Sequence, residues 1–464
     1  MPRQIAIMVF MLLIVWLWHG DNKCRPRFSK ALWIPTIWLL ILGSRPLSWW
    51  SWFFFGIGNS SESDLEGNSV DRFFWAALIV FAVFIASRRG VRWGTLVRNN
   101  LGLALFVGYL GLTILWAEYP FPTAKRWVKE LGSIPVLLVI LTEEDPIEAI
   151  KAVFSRCAYV LFSFSVLVIK YVPELGRDYW SHSGVAQIMG ITQQKNSLGE
   201  DVAVFGLVLF WQLAEKMTGK PKDWSRSPVL QWLIAFAMGI WLLRQCDSQT
   251  SIICFGIGCI LLLTTRIDFL SSNRRGVVFI CLFAVPLFFI VDNVFNISGP
   301  ILEMLGRNPT LTNRTEIWQA VRGHAVNPVF GMGYLNFWDV VPRIEVGGYE
   351  VELKTAHNGY LEIYLDGGYL GIFFLIIMLI TIGARHARAF IGGRLLGDLA
   401  LALFCMTLLM NVSESIFARR SPLWSAFLMA ALAWSLPAPT ADAGHFYVSA
   451  GSDNEMTEVE IPVN

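Results

Sequence analysis

Runs of roughly 15 to 22 apolar residues recur along the whole chain, parted by short clusters of Arg, Lys, Gly and Pro. Each run is about as long as a helix needs to cross the hydrocarbon core of a bilayer. A chain built this way has few alternatives to an all-α integral membrane protein. Candidate spans lie near 4–19, 32–55, 73–87, 101–117, 131–142, 149–171, 198–214, 229–243, 250–265, 276–292, 358–384, 397–413 and 421–437, with 131–142 short for a crossing. About 12 or 13 transmembrane helices are therefore expected. Charged residues make up 16% of the chain and hydrophobic ones 55%, which sets aside a soluble globular domain. The net charge of +2 carries no basic tract of the kind that binds nucleic acid. The first run, Ile5 to Trp18, lacks a small-residue cleavage site and leads straight into "DNKCRPRFSK", so it reads as a retained helix. Five of the seven cysteines, Cys157, Cys254, Cys259, Cys281 and Cys405, lie inside apolar runs without metal-ligand spacing and read as small apolar residues.

Loop charge sets the expected orientation. "KCRPRFSK", "RRGVRWGTLVR", "KMTGKPKDWSR", "RIDFLSSNRR" and "RHARAFIGGR" alternate along the chain and belong on the cytoplasmic side by the positive-inside rule. The other loops, 44–72, 118–130, 172–197, 244–249, 412–420 and a long segment from about 293 to 356, then face the exterior. The division expected is an amino-terminal transmembrane bundle over 1–292 and an extracytoplasmic loop domain with short interfacial helices over 293–356. Carboxy-terminal transmembrane helices over 357–437 and an acidic disordered tail over 438–464 complete it.

Four polar clusters fall on the non-cytoplasmic side. In "EYPFPTAKRWVKELG" a helix puts Lys125 and Lys129 one turn apart on one face, with Arg126 beside them. An interfacial helix that binds lipid headgroups or pairs with Glu130 is the alternative there. In "GITQQKNSLGEDVAVF", Ser197 and Glu200 form a capping-box pair, which sets Lys195 and Asn196 just before a helix N-terminus, a place that favours anions. In "GRNPTLTNRTEIWQAVRGHAVNPVFGMGYLNFW", Asn313 and Glu316 suggest a second cap. The helix that follows, from Arg314 to about His324, carries Arg314 and Arg322, and Ile317, Trp318 and Val321 share one side. Arg suits phosphate because its planar fork makes paired charge-assisted hydrogen bonds.

The fourth cluster, "KTAHNGYLEIYLDGGYLGIF", sets His357 and Asn358 where the long loop enters a helix. Gly367 and Gly371 there invite a close neighbour, and Glu362 and Asp366 point into the bundle. Glu414, in "NVSES", is a candidate second acid/base or orienting carboxylate at the end of the penultimate span, as Asn358 and Asn196 are candidate orienting groups. "DLE" at 64–66 reads as a solvated turn rather than an acidic metal motif, and no phosphate loop or nucleophile elbow is present in the sequence.

"TAHNGYLEIYLDGGYLG" is similar to the His-Asn-x-x-Leu…Gly-x-x-Gly segment of the O-antigen ligase and polymerase superfamily. "GITQQKNSLG" and "GRNPTLTNRTEIW…NPVFGMGYLNFW" resemble further segments of its exopolysaccharide-polymerase-like branch. "SKALWIPTIWLLILGSRPLSWW" and "YPFPTAKRWVKELG" resemble its amino-terminal half. The chain departs from that pattern at Asn308 and Asn313. The resemblance implies a GT-C-like helical fold in a bacterial inner membrane with its active site facing outward. It implies a donor glycan on a polyprenyl diphosphate, moved to an acceptor sugar on lipid A core or on another lipid-linked repeat unit, with no cofactor, nucleotide sugar or metal.

The residues fit that chemistry. His357 suits a general base for the acceptor hydroxyl, since histidine exchanges protons near neutral pH. Arg314 suits stabilisation of the leaving diphosphate, and Lys125, Arg126, Lys129, Lys195 and Arg322 suit its binding. Trp318, Tyr334, Phe337 and Trp338 are candidate stacking surfaces for glycan. The competing class is a transporter or flippase of lipid-linked glycan, for which broken helices at the midplane and repeated halves are the expected signs.

Overall fold

The computed structural model describes residues 1–56, 68–179, 186–217, 228–267, 271–284, 314–324, 326–346 and 348–436. The "DLE" turn, Asn308, the Asn313 cap and the expected tail lie outside the described residues. The chain forms an all-α integral membrane protein. Its helices are α1 (Arg3–Cys24), α2 (Trp33–Leu42), α3 (Leu47–Phe55), α4 (Ser69–Arg88), α5 (Trp93–Asn99), α6 (Leu101–Leu112), α7 (Pro120–Leu131), α8 (Ser133–Leu141), α9 (Pro146–Tyr171) and α10 (Pro173–Gly176). They continue as α11 (Lys195–Met217), α12 (Val229–Gln245), α13 (Gln249–Thr264), α14 (Arg274–Phe279), α15 (Arg314–Arg322), α16 (Phe337–Val340), α17 (Gly359–Ile391), α18 (Gly397–Met410) and α19 (Pro422–Ala433). Two small antiparallel hairpins, Arg177–Asp178 with Gln187–Ile188 and Arg343–Val346 with Tyr349–Glu352, are the strands among the described residues.

Among the described residues, α1, α4, α9, α11 and α17 are long and apolar enough to cross a membrane. Two bent pairs raise that set to 7, and α12, α13, α18 and α19 are shorter apolar helices. The run expected as one span at 32–55 is broken: its two helices meet at 79°. Gly43, Ser44 and Pro46 interrupt the ladder there, and Arg45 is buried between them, its guanidinium donating to the carbonyls of Thr192 at 3.2 Å and Leu175 at 2.7 Å. A second bend, of 99°, joins Trp93–Asn99 to the helix that begins at Leu101. The candidate at 276–292 is described only to 284.

Burial sorts the helices. In α9 and α11, 89% of the most apolar window is covered by protein, against 22% in α4 and 17% in α1, so α9 and α11 are central and α4 and α1 face lipid. Pro146 at the first turn of α9, with Asp145 accepting from Glu148 N, starts that helix sharply. In α11 the expected capping box is replaced. The helix begins two residues earlier, at Lys195, and Glu200 reaches across the bundle to accept from Leu423 N at the start of α19, at 3.0 Å.

The feature that shapes the site is a break in α17. Gly368 has φ 61° and ψ −157°, a conformation open to glycine and not to residues with a side chain. Residues 328–333 thread into the gap. Tyr369 N and Leu370 N donate to the carbonyls of Pro328 and Val329, and Met332 N and Gly333 N donate to those of Leu365 and Asp366. The backbone groups freed by the break are thus satisfied by the loop. Beyond Gly368, α17 continues for roughly 23 residues, about 35 Å of helix, which still crosses a bilayer. Gly367 and Gly371 do receive a close neighbour: Tyr109 of α6 lies against both and donates its hydroxyl to the Gly367 carbonyl at 2.7 Å.

Outside the main core, Ile317, Val321, Phe337, Trp338, Ile344, Ala356 and Leu365 form a second, smaller one. It joins α15 and the loop to the first turns of α17. Tyr334, Phe337 and Trp338 are buried, so the expectation that they form an open stacking surface is corrected. Apolar area has drawn them inward, and the Trp318 indole is spent on the Ala356 carbonyl at 2.9 Å.

Candidate functional site

Three segments distant in sequence meet at one end of the bundle. The α18–α19 connection supplies Glu414. One carboxylate oxygen accepts from Arg314 Nη2 at 2.5 Å, and the other lies 3.3 Å from His357 Nδ1. Arg314 and Glu414 side chains keep 12% of their surface and His357 keeps 22%, so the trio is desolvated yet reachable. Its members come from the first turn of α15, from the residues before α17 and from the end of α18.

Local structure fixes each member. His357 has φ 50°, a left-handed conformation that costs a residue with a side chain on the order of 1 kcal/mol. Its N–H donates to Thr355 Oγ1 at 3.2 Å, and Thr355 in turn donates to Ser415 Oγ at 2.7 Å. Asn358 caps α17, its Oδ1 accepting from Leu361 N while its Nδ2 donates to the Val412 carbonyl. Gly359 N donates to the carbonyls of both Asn411 and Glu414. Asn411 is fully buried, and its Oδ1 accepts from Ile416 N and Phe417 N at 3.0 Å each. The loop that carries Glu414 is thereby wound around one asparagine and docked on the His357 turn.

Behind the trio stands a buried ionic wall. Glu362 accepts from Trp338 Nε1, from Ala356 N and from Arg419, and Asp366 accepts from Leu335 N at 2.9 Å. These contacts tie α16, α17 and the α18–α19 connection together.

The remaining candidates are spread along the same face. Arg126 grips Asp339 with two guanidinium nitrogens and also donates to the Leu335 carbonyl, locking α7 to α16. Lys125 lies over the Phe121 ring at 4.9 Å. Lys129, on the same face of α7, makes no hydrogen bond or ion pair with another described residue. Burial, and after it the charge of Arg420, brings its ammonium down to about 8. Arg322 is exposed at the far end of α15, about 12 Å along the axis from Arg314. Lys195 borders a cavity of about 270 Å³ with Gln187, Gln245 and Asp247, and no hydrogen bond joins it or Asn196 to the trio. Glu130 turns its carboxylate to the Trp424 indole rather than to the lysines, and burial pushes it up to about 6. No group of three or more His, Cys, Asp or Glu side chains among the described residues is arranged to hold a metal ion.

Sequence reasoning passed over Arg419, Arg420 and Asn411. The signal for the arginines was present in "FARRSPLW", two adjacent cations in a loop that the charge pattern of the other loops leads one to expect on the exterior, where the positive-inside rule disfavours them.

A family model described as O-antigen ligase matches residues 225–376, a stretch that holds both Arg314 and His357. The exopolysaccharide production protein ExoQ of Rhizobium meliloti (strain 1021) is 25% identical over 301 residues, which cover 61% of this chain and 64% of that protein. Both matches support the O-antigen ligase and polymerase superfamily. The chain thus spans less than two thirds of this relative's length, and Glu414, at the centre of the trio, lies beyond the residues the family model matches.

Proposed function

We propose that the protein is a membrane glycan transferase of the O-antigen ligase or polymerase type. It moves an oligosaccharide from a polyprenyl diphosphate to an acceptor sugar, on lipid A core or a lipid-linked repeat unit, at the extracytoplasmic face of a bacterial inner membrane. The observation that carries the reading is the Glu414 bridge between Arg314 and His357. A carboxylate at Nδ1 holds the proton there and leaves Nε2 with a lone pair aimed away from the bridge. The acceptor hydroxyl gives its proton to Nε2 as its oxygen bonds to the anomeric carbon. The bond from that carbon to the diphosphate oxygen breaks, and its electron pair leaves with the diphosphate. Arg314 keeps its remaining guanidinium N–H groups for the charge that develops there. No step calls for a metal, a nucleotide or a cofactor.

In this reading the GT-C-like bundle holds the lipid portion and the segment 293–356 covers the glycan. Arg126 and Asn358 serve by fixing the loop and the His357 turn, and Lys195, with Asn196 at the same helix start, offers charge to a more distant part of the donor. A transporter fits less well, because α17 remains long enough to cross the bilayer after its break. Proteoliposomes supplied with a polyprenyl-diphosphate oligosaccharide and an acceptor glycan test the class. Mass spectrometry should find a new glycosidic product and free polyprenyl diphosphate in equal amounts. Donor that crosses the bilayer unchanged, with no new linkage, would overturn the proposal.

A further inference from the structure

The short helix after the first bend, α3, reads "LSWWSWFFF", with six aromatic residues in nine and no charge. None of its residues is buried, and Phe54 and Phe55 keep 65% and 76% of their surface. Its rings are ordered nonetheless. Trp49 stacks on Phe53 and Trp50 on Phe54, each pair one turn apart, with centroids separated by 5.2 and 5.8 Å. The Arg45 guanidinium lies over the Trp49 ring at 4.1 Å, and the Trp50 indole donates to Ser44 Oγ at 3.4 Å. A helix this apolar does not stay in water, and the described residues leave it uncovered.

Two hydrogen-bonded rungs give its depth. At one end of α4, Arg89 donates to Ser29 Oγ at 2.6 Å, just ahead of α2. At the other end Asp71 accepts from the Ser48 N–H and hydroxyl at 3.0 and 2.5 Å, at the start of α3. Roughly 27 Å of α4 axis separates Asp71 from Arg89, close to the thickness of a hydrocarbon core of about 30 Å. The α2 run and the lipid-facing α4 therefore lie side by side across the bilayer, and Ser48 is level with its boundary. From there α3 departs at 79° to α2, nearly parallel to the membrane surface, and Gly56 ends it at φ 65°. The boundary is the one nearest the Glu414 trio. Arg420, in the same connection as Glu414, has its guanidinium 5.3 Å from the ring of Trp75, one turn from Asp71 on α4. Indoles favour that level, because an apolar ring and a polar N–H are both served there.

We propose that α3 is an in-plane anchor, seated on the headgroup–acyl boundary of the leaflet at the trio's end of the bundle, with the bilayer itself as the partner of its aromatic side chains. Arg45 ties the anchor to the bundle through the carbonyls of Leu175 and Thr192, in the segment that leads into α11. The placement is independent of glycan transfer.

The test is site-directed spin labelling of the full chain in liposomes, in a Cys24→Ser background because Cys24 is exposed. Nitroxides at Leu47→Cys and Phe54→Cys, two turns apart on one side of α3, are compared with two references. Phe81→Cys lies exposed midway along α4, and Glu350→Cys lies exposed on a hairpin. Power saturation reads the ratio of oxygen to nickel-chelate accessibility, which rises with depth in the bilayer. The Phe54 ratio should stand several-fold above that at Glu350 and several-fold below that at Phe81, with Leu47 at nearly the same depth as Phe54. A helix that continued through the bilayer would put about 10 Å of depth between the two labels. That gap would overturn the proposal. So would a Phe54 ratio equal to that at Phe81 or Glu350, or an immobilised Phe54 label shielded from both reagents by a second copy of the chain.

Discussion

Replacing Glu414 by Gln separates the role of its charge from that of its shape. In the wild type one oxygen faces Arg314 at 2.5 Å and the other faces His357 Nδ1 at 3.3 Å. A glutamine in the same rotamer must turn its carbonyl toward Arg314, because an amide NH₂ there would oppose the guanidinium donors. The NH₂ then faces Nδ1, which has to become the acceptor, and the ring proton moves to Nε2. The imidazole keeps its place but loses the lone pair that takes the acceptor proton. General-base catalysis contributes about 10²- to 10⁴-fold, so kcat should fall by that factor, about 3 to 5.5 kcal/mol of barrier. KM for the donor should change little, since the Arg314 contact survives. The assay is initial-rate transfer of a fluorescent oligosaccharide from polyprenyl diphosphate in liposomes, with expression and melting temperature matched to wild type. A Glu414→Gln enzyme within a few-fold of wild-type kcat would refute the reasoning. So would a loss confined to KM.

Other consequences follow from the same contacts. Arg419→Met leaves Glu362 buried without its cation, and thermal unfolding in detergent should show a loss of about 3–5 kcal/mol. Gly368→Ala forces a residue with a side chain into a glycine conformation and sets a Cβ 2.4 Å from the Val329 carbonyl, so limited proteolysis should cut the 326–340 loop faster. Asn411→Ala, fully buried beneath the Glu414 loop, should lower kcat by loosening that loop, and Asn411→Asp should recover part of it because Oδ1 still accepts from Ile416 N and Phe417 N.

The apolar runs located most helices to within a few residues, because the length of a bilayer crossing is written directly in hydropathy. The bend at Gly43–Pro46 and the break at Gly368 were less legible. Each depends on distant groups that accept or donate to the interrupted backbone, Thr192 and Leu175 in one case and Pro328 to Gly333 in the other. At the site, residue chemistry singled out Arg314, His357 and Glu414 one by one. Their union through one carboxylate joins residues 100 and 57 positions apart, which no local pattern encodes. The aromatic residues of the loop failed in the opposite way. Tyr334, Phe337 and Trp338 suit both a stacking surface and a core; the main core claimed Tyr334 and the second, smaller one claimed Phe337 and Trp338.

The most direct test of the central claim is transfer by purified protein in liposomes containing EDTA and no nucleotide, with wild type, His357→Gln and Arg314→Ala side by side. The account predicts product from wild type and little from either variant at matched folding. Both variants transferring glycan at the wild-type rate would contradict it.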